Sequence, residues 1–303
     1  MPKKQGDAPM DKFILSCEST VDLPYSHISQ RNIPVIFYTY NVDGVDYQDD
    51  MGKDPDSLKN FYKMLDEGAK PTTSQINLES YLEFFKPLVQ QANVLHIAFG
   101  SGMSSSVFNA QAAAQQLNNQ SKNKIVVIDS TCSCSGYGML VDSAADLRDE
   151  GKSMDEIIAW LNANLHKLHH QFFSTELSFF KRSGRVSATK AFIGTMLGIC
   201  PIMHLNYDGK IVAYANARGK KKAVLKTISE MVANIPEGTA YSGKCYISHS
   251  NFLEFAQEIK EKIMNEFPNI QEPQIFDIGP VITSHCGPGT VAVFFYGKDR
   301  ARN

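Results

Sequence analysis

Four serines lie between a short apolar run and a segment rich in Ala and Gln: Ser101, Ser104, Ser105 and Ser106 separate residues 94–99 from residues 107–113. The apolar run predicts a strand, and the Ala and Gln residues favour a helix after it. A helix N-terminus exposes unpaired backbone N–H groups and the positive end of the dipole, which together favour an anion. The stretch therefore predicts either a cradle for a phosphate or carboxylate, or an ordinary N-cap at a strand-to-helix turn.

Three other segments carry polar side chains that could also contribute to a ligand-binding site. Thr73 and Ser74 stand just ahead of a predicted helix at residues 78–91. His285 lies in the sequence SHCGPG, where two glycines around a proline predict a tight, non-regular turn that holds one imidazole. Arg218 follows a predicted strand and could reach a bound anion.

A hydrolase is the natural enzyme hypothesis. Ser101 or Ser104 could act with Asp129 and His285. However, the loop that carries the four serines (residues 101–106, the serine loop) contains no G-x-S-x-G elbow. Three scattered residues do not define a triad, so this hypothesis stays an alternative.

The sequence predicts no cofactor, no metal and no ATP site of its own. Glycines at 100 and 102 with a serine at 105 fall one residue short of a dinucleotide fingerprint, and no acid follows near residues 120–124 to hold a ribose. A Walker lysine is missing, and neither the C-x-C pair at 132 and 134 nor the adjacent histidines at 169 and 170 has zinc-site spacing.

Composition and charge exclude further classes of protein. The 303 residues carry a formal net charge of −2, which gives no electrostatic case for nucleic acid or an acidic membrane surface as a partner. Neither a signal peptide nor a membrane span is expected, because residues 1–9 are polar and no apolar stretch is long enough. Six scattered cysteines lack the density of a disulfide scaffold, so a reducing cytoplasm is the expected location.

The elements that must position these groups alternate along the first half of the chain. Strands are predicted at residues 13–16, 33–40, 94–100 and 124–128, with helices between them. This alternation predicts a parallel doubly wound sheet whose ligand lies beyond the carboxyl ends of the strands. Residues 41–54 are expected to form a solvated loop, and residues 70–75 to have no regular structure.

The second half predicts a mixed α/β domain. A helix at 153–168 bridges to it, residues 176–180 are strand-like, and residues 191–199 form an apolar helix that is either buried or lines an apolar cavity. The sequence YDG at 207–209 predicts a hairpin. We therefore expect an α/β protein with an N-terminal domain at 10–168 and a C-terminal domain at 169–303.

Six motifs in order resemble the DegV family over residues 11–297. They are ESTVDLP at 18–24, TSQ at 73–75, SGMS at 101–104, SGRV at 183–186, Arg218 ahead of three lysines, and HCGPG at 285–289.

The resemblance implies a two-domain DegV-like fold that buries a long-chain fatty acid, such as palmitate, stearate or oleate, between the domains. It further implies a non-enzymatic, FakB-like carrier that presents the carboxylate to a separate ATP-dependent fatty acid kinase in bacterial phospholipid synthesis, with transient membrane contact.

Residue roles follow from the same resemblance. Thr73 and Ser104 would bind the carboxylate with Ser101 beside them, while Arg218 and His285 would extend this network. Arg185 would face the kinase. Candidates for the wall of the acyl tunnel, which could equally be plain core, include Phe192, Ile193, Met196 and Leu197.

The chain also departs from the family pattern. Glu18 stands where Asp is usual, Ile76 where Pro is usual, Ser105-Ser106 where Gly-Thr is usual, and Ser183 where Gly is usual. These changes bear on loop detail and kinase pairing more than on lipid binding.

Overall fold

A computed structural model describes residues 12–186 and 198–302. The strands are β1 (Phe13–Glu18), β2 (Val35–Ile36), β3 (Thr39–Val42), β4 (Val45–Gln48), β5 (Thr72–Ser74), β6 (Asn93–Ala98), β7 (Ile125–Asp129), β8 (Leu168–Ser174), β9 (Ile199–Leu205), β10 (Ile211–Arg218), β11 (Cys245–His249), β12 (Gln274–Asp277) and β13 (Thr290–Tyr296). The helices are α1 (Tyr25–Gln30), α2 (Ser57–Asp66), α3 (Leu78–Gln91), α4 (Ser106–Asn118), α5 (Cys134–Asp149), α6 (Met154–Asn164), α7 (Ser178–Ser183), α8 (Lys220–Asn234), α9 (Leu253–Glu266) and α10 (Pro280–Cys286).

The predicted parallel sheet is confirmed. Its four strands have the order β2-β1-β6-β7, and every pairing is parallel. Leu15 pairs with Leu95, and both are fully buried, as expected for strands covered on both faces. The carboxyl ends of β1, β6 and β7 therefore meet at one edge, where residues 19–22, 99–105 and 130–133 follow them.

The second half forms a mixed six-stranded sheet of order β10-β9-β8-β13-β11-β12. All its pairings are antiparallel except that of β11 with β12. The predicted hairpin at residues 207–209 joins β9 to β10. β8, the first strand of this sheet, begins at Leu168, beside the expected domain boundary.

Helix α5 packs against elements of both halves. Its residues from Cys134 to Ala145 are buried on every side of the helix. A Cβ at Gly136 would lie 2.4 Å from His170 Nε2, and one at Gly138 would lie 2.5 Å from the carbonyl oxygen of Val21. Glycine at both positions allows this close approach, and one of the three apolar clusters contains residues of both sheets.

A small antiparallel sheet, β4-β3-β5, stands beside the parallel one and corrects two predictions. Residues 41–54 are not simply a solvated loop, because β3 and β4 form a hairpin through Asp43 and Gly44, both with positive φ. Asp49, which follows the hairpin, is 1% exposed. Residues 70–75 are not irregular either, because β5 pairs with β3 and places Thr73 opposite Tyr40.

Two further predictions are wrong. Residues 176–180 do not form the expected strand, because α7 begins at Ser178, and the strand lies earlier, at β8. His285 lies in the last turn of helix α10 rather than in an irregular turn; Gly287 follows with positive φ and ends the helix. Most of the apolar helix predicted at 191–199 lies outside the described residues, although Ile199 begins β9.

Candidate ligand-binding site

A cavity of about 670 Å³ lies between the parallel sheet's carboxyl edge and the mixed sheet. Its size falls within the range of small-molecule sites, roughly 300–1,000 Å³. Hydroxyl groups and the imidazoles of His170 and His285 line part of it. Much of the remaining wall is apolar and includes Phe99, Phe172, Phe180, Leu205, Val281 and Phe294.

Thr73 and His285 meet at this cavity. Thr73 is the central residue of β5, His285 is in the last turn of α10, and α10 packs against both β3 and β5. Thr73 Oγ1 lies 2.7 Å from His285 Nε2, a contact between residues 212 positions apart. The sequence prediction that these two groups belong to one site is consistent with this geometry.

The His285 imidazole is neutral near pH 7. Burial, followed by the charges of Arg185 and Arg182, lowers the pKa of His285 to about 4. Its Nδ1 atom is buried and has no hydrogen-bond partner among the described residues. The pair therefore offers neutral polar groups to a ligand, with the nearby arginines supplying positive potential.

The serine loop faces the same cavity. Ser104 Oγ donates to Ser106 Oγ (3.1 Å) and accepts the Ser106 N–H (3.3 Å), so it caps the first residue of α4. Ser106 Oγ in turn accepts the N–H of Ile76, which connects this loop to the segment after β5. Ser104, which accepts this first helical N–H, thus also lines the cavity, whereas the N-cap residue itself, Ser105, makes no side-chain cap hydrogen bond.

Ser101 also lines the cavity, and Asp129 holds its loop in place. Asp129 Oδ1 accepts the backbone N–H groups of Ser101 and Thr131, each at 3.0 Å. A carboxylate engaged in this way orients loops, and no described contact joins it to His285.

The two predicted arginines differ in position. Arg185 is exposed and lines the cavity next to α7, near His285. Arg218 is exposed at the end of β10 and is not among the described residues that line the cavity. The structure therefore does not bring Arg218 to the hydroxyl groups. Phe192, Ile193, Met196 and Leu197 lie outside the described residues.

Sequence reasoning missed a buried polar network behind the serine loop. Glu18 is 0% exposed and accepts hydrogen bonds from Tyr81 Oη (2.5 Å) and the Phe99 N–H (3.0 Å), while His96 Nε2 lies 3.4 Å away. Tyr38, 3% exposed, also lines the cavity. The only sequence signal was that Glu replaces the usual Asp at position 18, because the partners are brought together from distant segments.

Two buried aspartates were also missed. Asp22 is 6% exposed, and neither carboxyl oxygen has a hydrogen-bond partner within the described chain. Burial and then the Asp49 charge raise the pKa of Asp22 well above its ordinary value, and burial raises that of Asp49 to about 7. Both carboxyl groups pack against Gly279, the residue before α10, where a Cβ would lie 2.7 Å from Asp22 and 3.6 Å from Asp49.

Neither a metal centre nor a membrane helix is found in the parts of the chain that are described. Within residues 12–186 and 198–302, no three His, Cys, Asp or Glu side chains are grouped so that they could hold a metal ion. The described helices are all too short or too polar to cross a bilayer.

Comparison with known proteins places these features in a family. The model of the DegV family, which describes its members as uncharacterised proteins, matches residues 12–298. A DegV domain-containing protein of Clostridium perfringens is 35% identical over 293 residues, covering 96% of this chain and 99% of the relative. Another, from Lactococcus lactis, is 31% identical and covers 93% of this chain and 96% of its own length.

Two solved structures share the fold. A DegV family protein of Thermus thermophilus, described for its fatty acid binding, superposes with a TM-score of 0.84 at 27% identity, covering 94% of this chain and 99% of that one. DegV of Bacillus subtilis, described as a fatty acid binding protein, gives a TM-score of 0.81 at 26% identity, with the same coverage.

Proposed function

The chain belongs to the DegV family, and from this we propose that it binds one long-chain fatty acid in the cavity described above. The carboxylate would lie at Thr73, Ser104 and His285, with Ser101 beside them. The Thr73–His285 contact of 2.7 Å at the polar part of a largely apolar cavity carries this proposal. The fatty acid binding described for the Thermus and Bacillus relatives supports the same ligand class.

The energetics of such a ligand match the division of the cavity. Burying an acyl chain of sixteen or eighteen carbons, at about 0.8 kcal/mol per CH₂, contributes on the order of 10 kcal/mol. A carboxylate in the same cavity is costly unless it accepts hydrogen bonds. Donors on one part of the wall and apolar groups on the rest would meet both requirements.

The finer part of the proposal is that the protein is a carrier and not itself an enzyme. It would present the carboxylate to a separate ATP-dependent fatty acid kinase, which would form the acyl phosphate for phospholipid synthesis. Arg185, exposed beside the cavity, would face that kinase. A cytoplasmic location and transient membrane contact belong to the same proposal.

A Ser/His acyl hydrolase or transferase is less well supported. His285 Nε2 contacts a threonine, and within the described residues no acid reaches Nδ1. A triad needs the imidazole between a nucleophile and an orienting acid, so this geometry favours binding over covalent catalysis.

Mass spectrometry tests the ligand directly. We expect the native protein to carry one fatty acid per chain that is released on denaturation, and its mass would give chain length and unsaturation. A protein that is empty and takes up neither palmitate nor oleate would refute the proposal.

Titration of delipidated variants tests the head-group site. Thr73→Val keeps the shape of the side chain, and we expect it to weaken palmitate binding about tenfold or more, because hydrogen bonds to charged groups contribute about 1.5–3 kcal/mol. The affinity for methyl palmitate should fall far less. Thr72→Val, at the exposed neighbouring position, is the matched control.

The kinase step has its own test. Loaded protein, ATP and a bacterial fatty acid kinase should give an acyl phosphate that hydroxylamine traps, and Arg185→Ala should reduce its formation by a larger factor than it reduces palmitate affinity. Product formed without the kinase would contradict the carrier role.

A further inference from the structure

Tyr38 places a fixed phenol beside the serine loop. Its ring packs edge-on against Phe99, with centroids 6.2 Å apart and planes at 76°, and its backbone N–H donates to Ser19 Oγ at 3.1 Å. Its hydroxyl lies 3.4 Å from Ser104 Oγ. Because ring and backbone are both held, the hydroxyl has little freedom to turn toward another partner.

Glu18 and Ser106 are further acceptors near the Tyr38 hydroxyl. Each oxygen of Glu18 already accepts a hydrogen bond, from Tyr81 Oη or from the Phe99 N–H, and Ser106 Oγ accepts the N–H of Ile76. Ser104 Oγ, at 3.4 Å, is the remaining acceptor for the Tyr38 hydrogen. Burial, and then the Glu18 charge, raise the pKa of Tyr38 well above 10, so the phenol keeps its proton.

Ser104 has one hydrogen to donate and two lone pairs to accept with. The Ser106 N–H reaches its oxygen at 3.3 Å, and Tyr38 is the second group in position to donate. Once both lone pairs are engaged, the serine hydrogen is directed away from its donors, and a hydroxyl that accepts hydrogen bonds is itself a stronger donor. With Tyr38 acting as a donor, the acceptor for that hydrogen among the described residues is Ser106 Oγ, at 3.1 Å.

We infer that Tyr38 is a positioning residue for the ligand head group, acting through Ser104. Its O–H donates to Ser104 Oγ, and this directs the Ser104 hydrogen from Ser106 to an anionic oxygen of the ligand. The inference rests on the proposed fatty acid binding and deepens it, since it predicts that the site selects an ionised head group over an esterified one. None of the six sequence motifs contains Tyr38.

The test is Tyr38→Phe, which removes one oxygen and keeps the ring against Phe99. We expect the Kd for palmitate to rise about tenfold and the Kd for methyl palmitate to change less than twofold, because hydrogen bonds to a charged acceptor are the stronger ones. Tyr214→Phe is the matched control, since that hydroxyl donates to Gln171, does not line the cavity, and should leave palmitate affinity unchanged.

A double-mutant cycle separates positioning from packing. In a Ser104→Ala background, Tyr38→Phe should have no further effect on palmitate, because the group through which it acts is absent. Equal losses with and without Ser104, or equal losses for acid and ester, would overturn the inference. So would unchanged palmitate binding by Tyr38→Phe while the wild type binds, an outcome that leaves the proposed function standing. A wild-type protein that binds no palmitate would overturn both.

Discussion

Replacing Asp49 by Asn should make the protein more stable at neutral and alkaline pH. Asp49 is 1% exposed, and its Oδ2 has no hydrogen-bond partner within the described residues. Burial raises its pKa from 3.8 to about 7, so the folded protein favours the protonated acid. For a group whose folded pKa is raised, the stabilisation is complete below the unfolded pKa near 4 and is lost as pH rises through 7.

The magnitude follows from the shift. A difference of about three pKa units, at about 1.4 kcal/mol each, corresponds to about 4 kcal/mol when Asp49 is fully ionised. Between pH 5 and pH 8 the stability difference between Asp49→Asn and the wild type should therefore grow by about 2–3 kcal/mol. Asp22 lies close to Asp49, so part of the effect depends on which of the two carries the proton.

Denaturant unfolding at pH 5, 6, 7 and 8 measures this difference. Asp43→Asn is the matched control, because Asp43 is exposed in the turn of the same hairpin and Asn tolerates its positive φ. The control should follow the wild type at every pH. A stability difference for Asp49→Asn that is constant with pH, or that shrinks as pH rises, would refute the assignment of Asp49 as a carboxyl group kept protonated by burial.

Two further predictions concern the packing of the two halves. Asp142→Asn should destabilise the protein by about 2 kcal/mol, less than a fully buried pair because Arg31 and Lys244 remain partly solvated. The pKa of Asp142 is lowered by its hydrogen-bonded and charged neighbours despite burial. Urea unfolding should therefore show this loss in full at pH 7, and the loss should shrink progressively as the pH falls below the unfolded pKa near 4. Gly102→Ala should lower stability by about 1–3 kcal/mol, because its Cβ would lie 2.4 Å from the carbonyl oxygen of Gly209 and backbone must move. Thermal unfolding tests this, and a melting temperature equal to that of the wild type would contradict the tight contact between these two loops.

Local pattern was enough for much of the fold. The runs at β1, β6 and β7 could be found from sequence because strands of a parallel sheet, buried at least in part, are rich in apolar and β-branched residues. The hairpin at residues 207–209 and the serine loop ahead of α4 could be found because turns and helix starts have their own residue preferences. The motif order across the chain also indicated the family.

The sequence predictions that were wrong share one cause: each depended on residues that are distant in the sequence. β5 has three residues and exists because β3, more than thirty positions earlier, pairs with it. Asp49 looked like a solvated acid, because its own neighbours in sequence are polar and do not show what packs over it. The strand expected at residues 176–180 is found earlier, at β8, because pairing with β13 decides where that strand lies.

By itself, the sequence determined which residue types were available for a ligand: hydroxyls at 73, 101 and 104, one imidazole at 285, and apolar side chains for a cavity wall. Only the tertiary structure decided which of them meet. Thr73 reaches His285 across 212 positions, while Arg218 stays at the far end of its strand. It also decided that Glu18 and Tyr38 lie buried behind Ser104. The helices and the longer apolar strands depend largely on near neighbours, whereas a short strand such as β5 and the hydrogen-bond partners in a buried site are set by how separate elements pack.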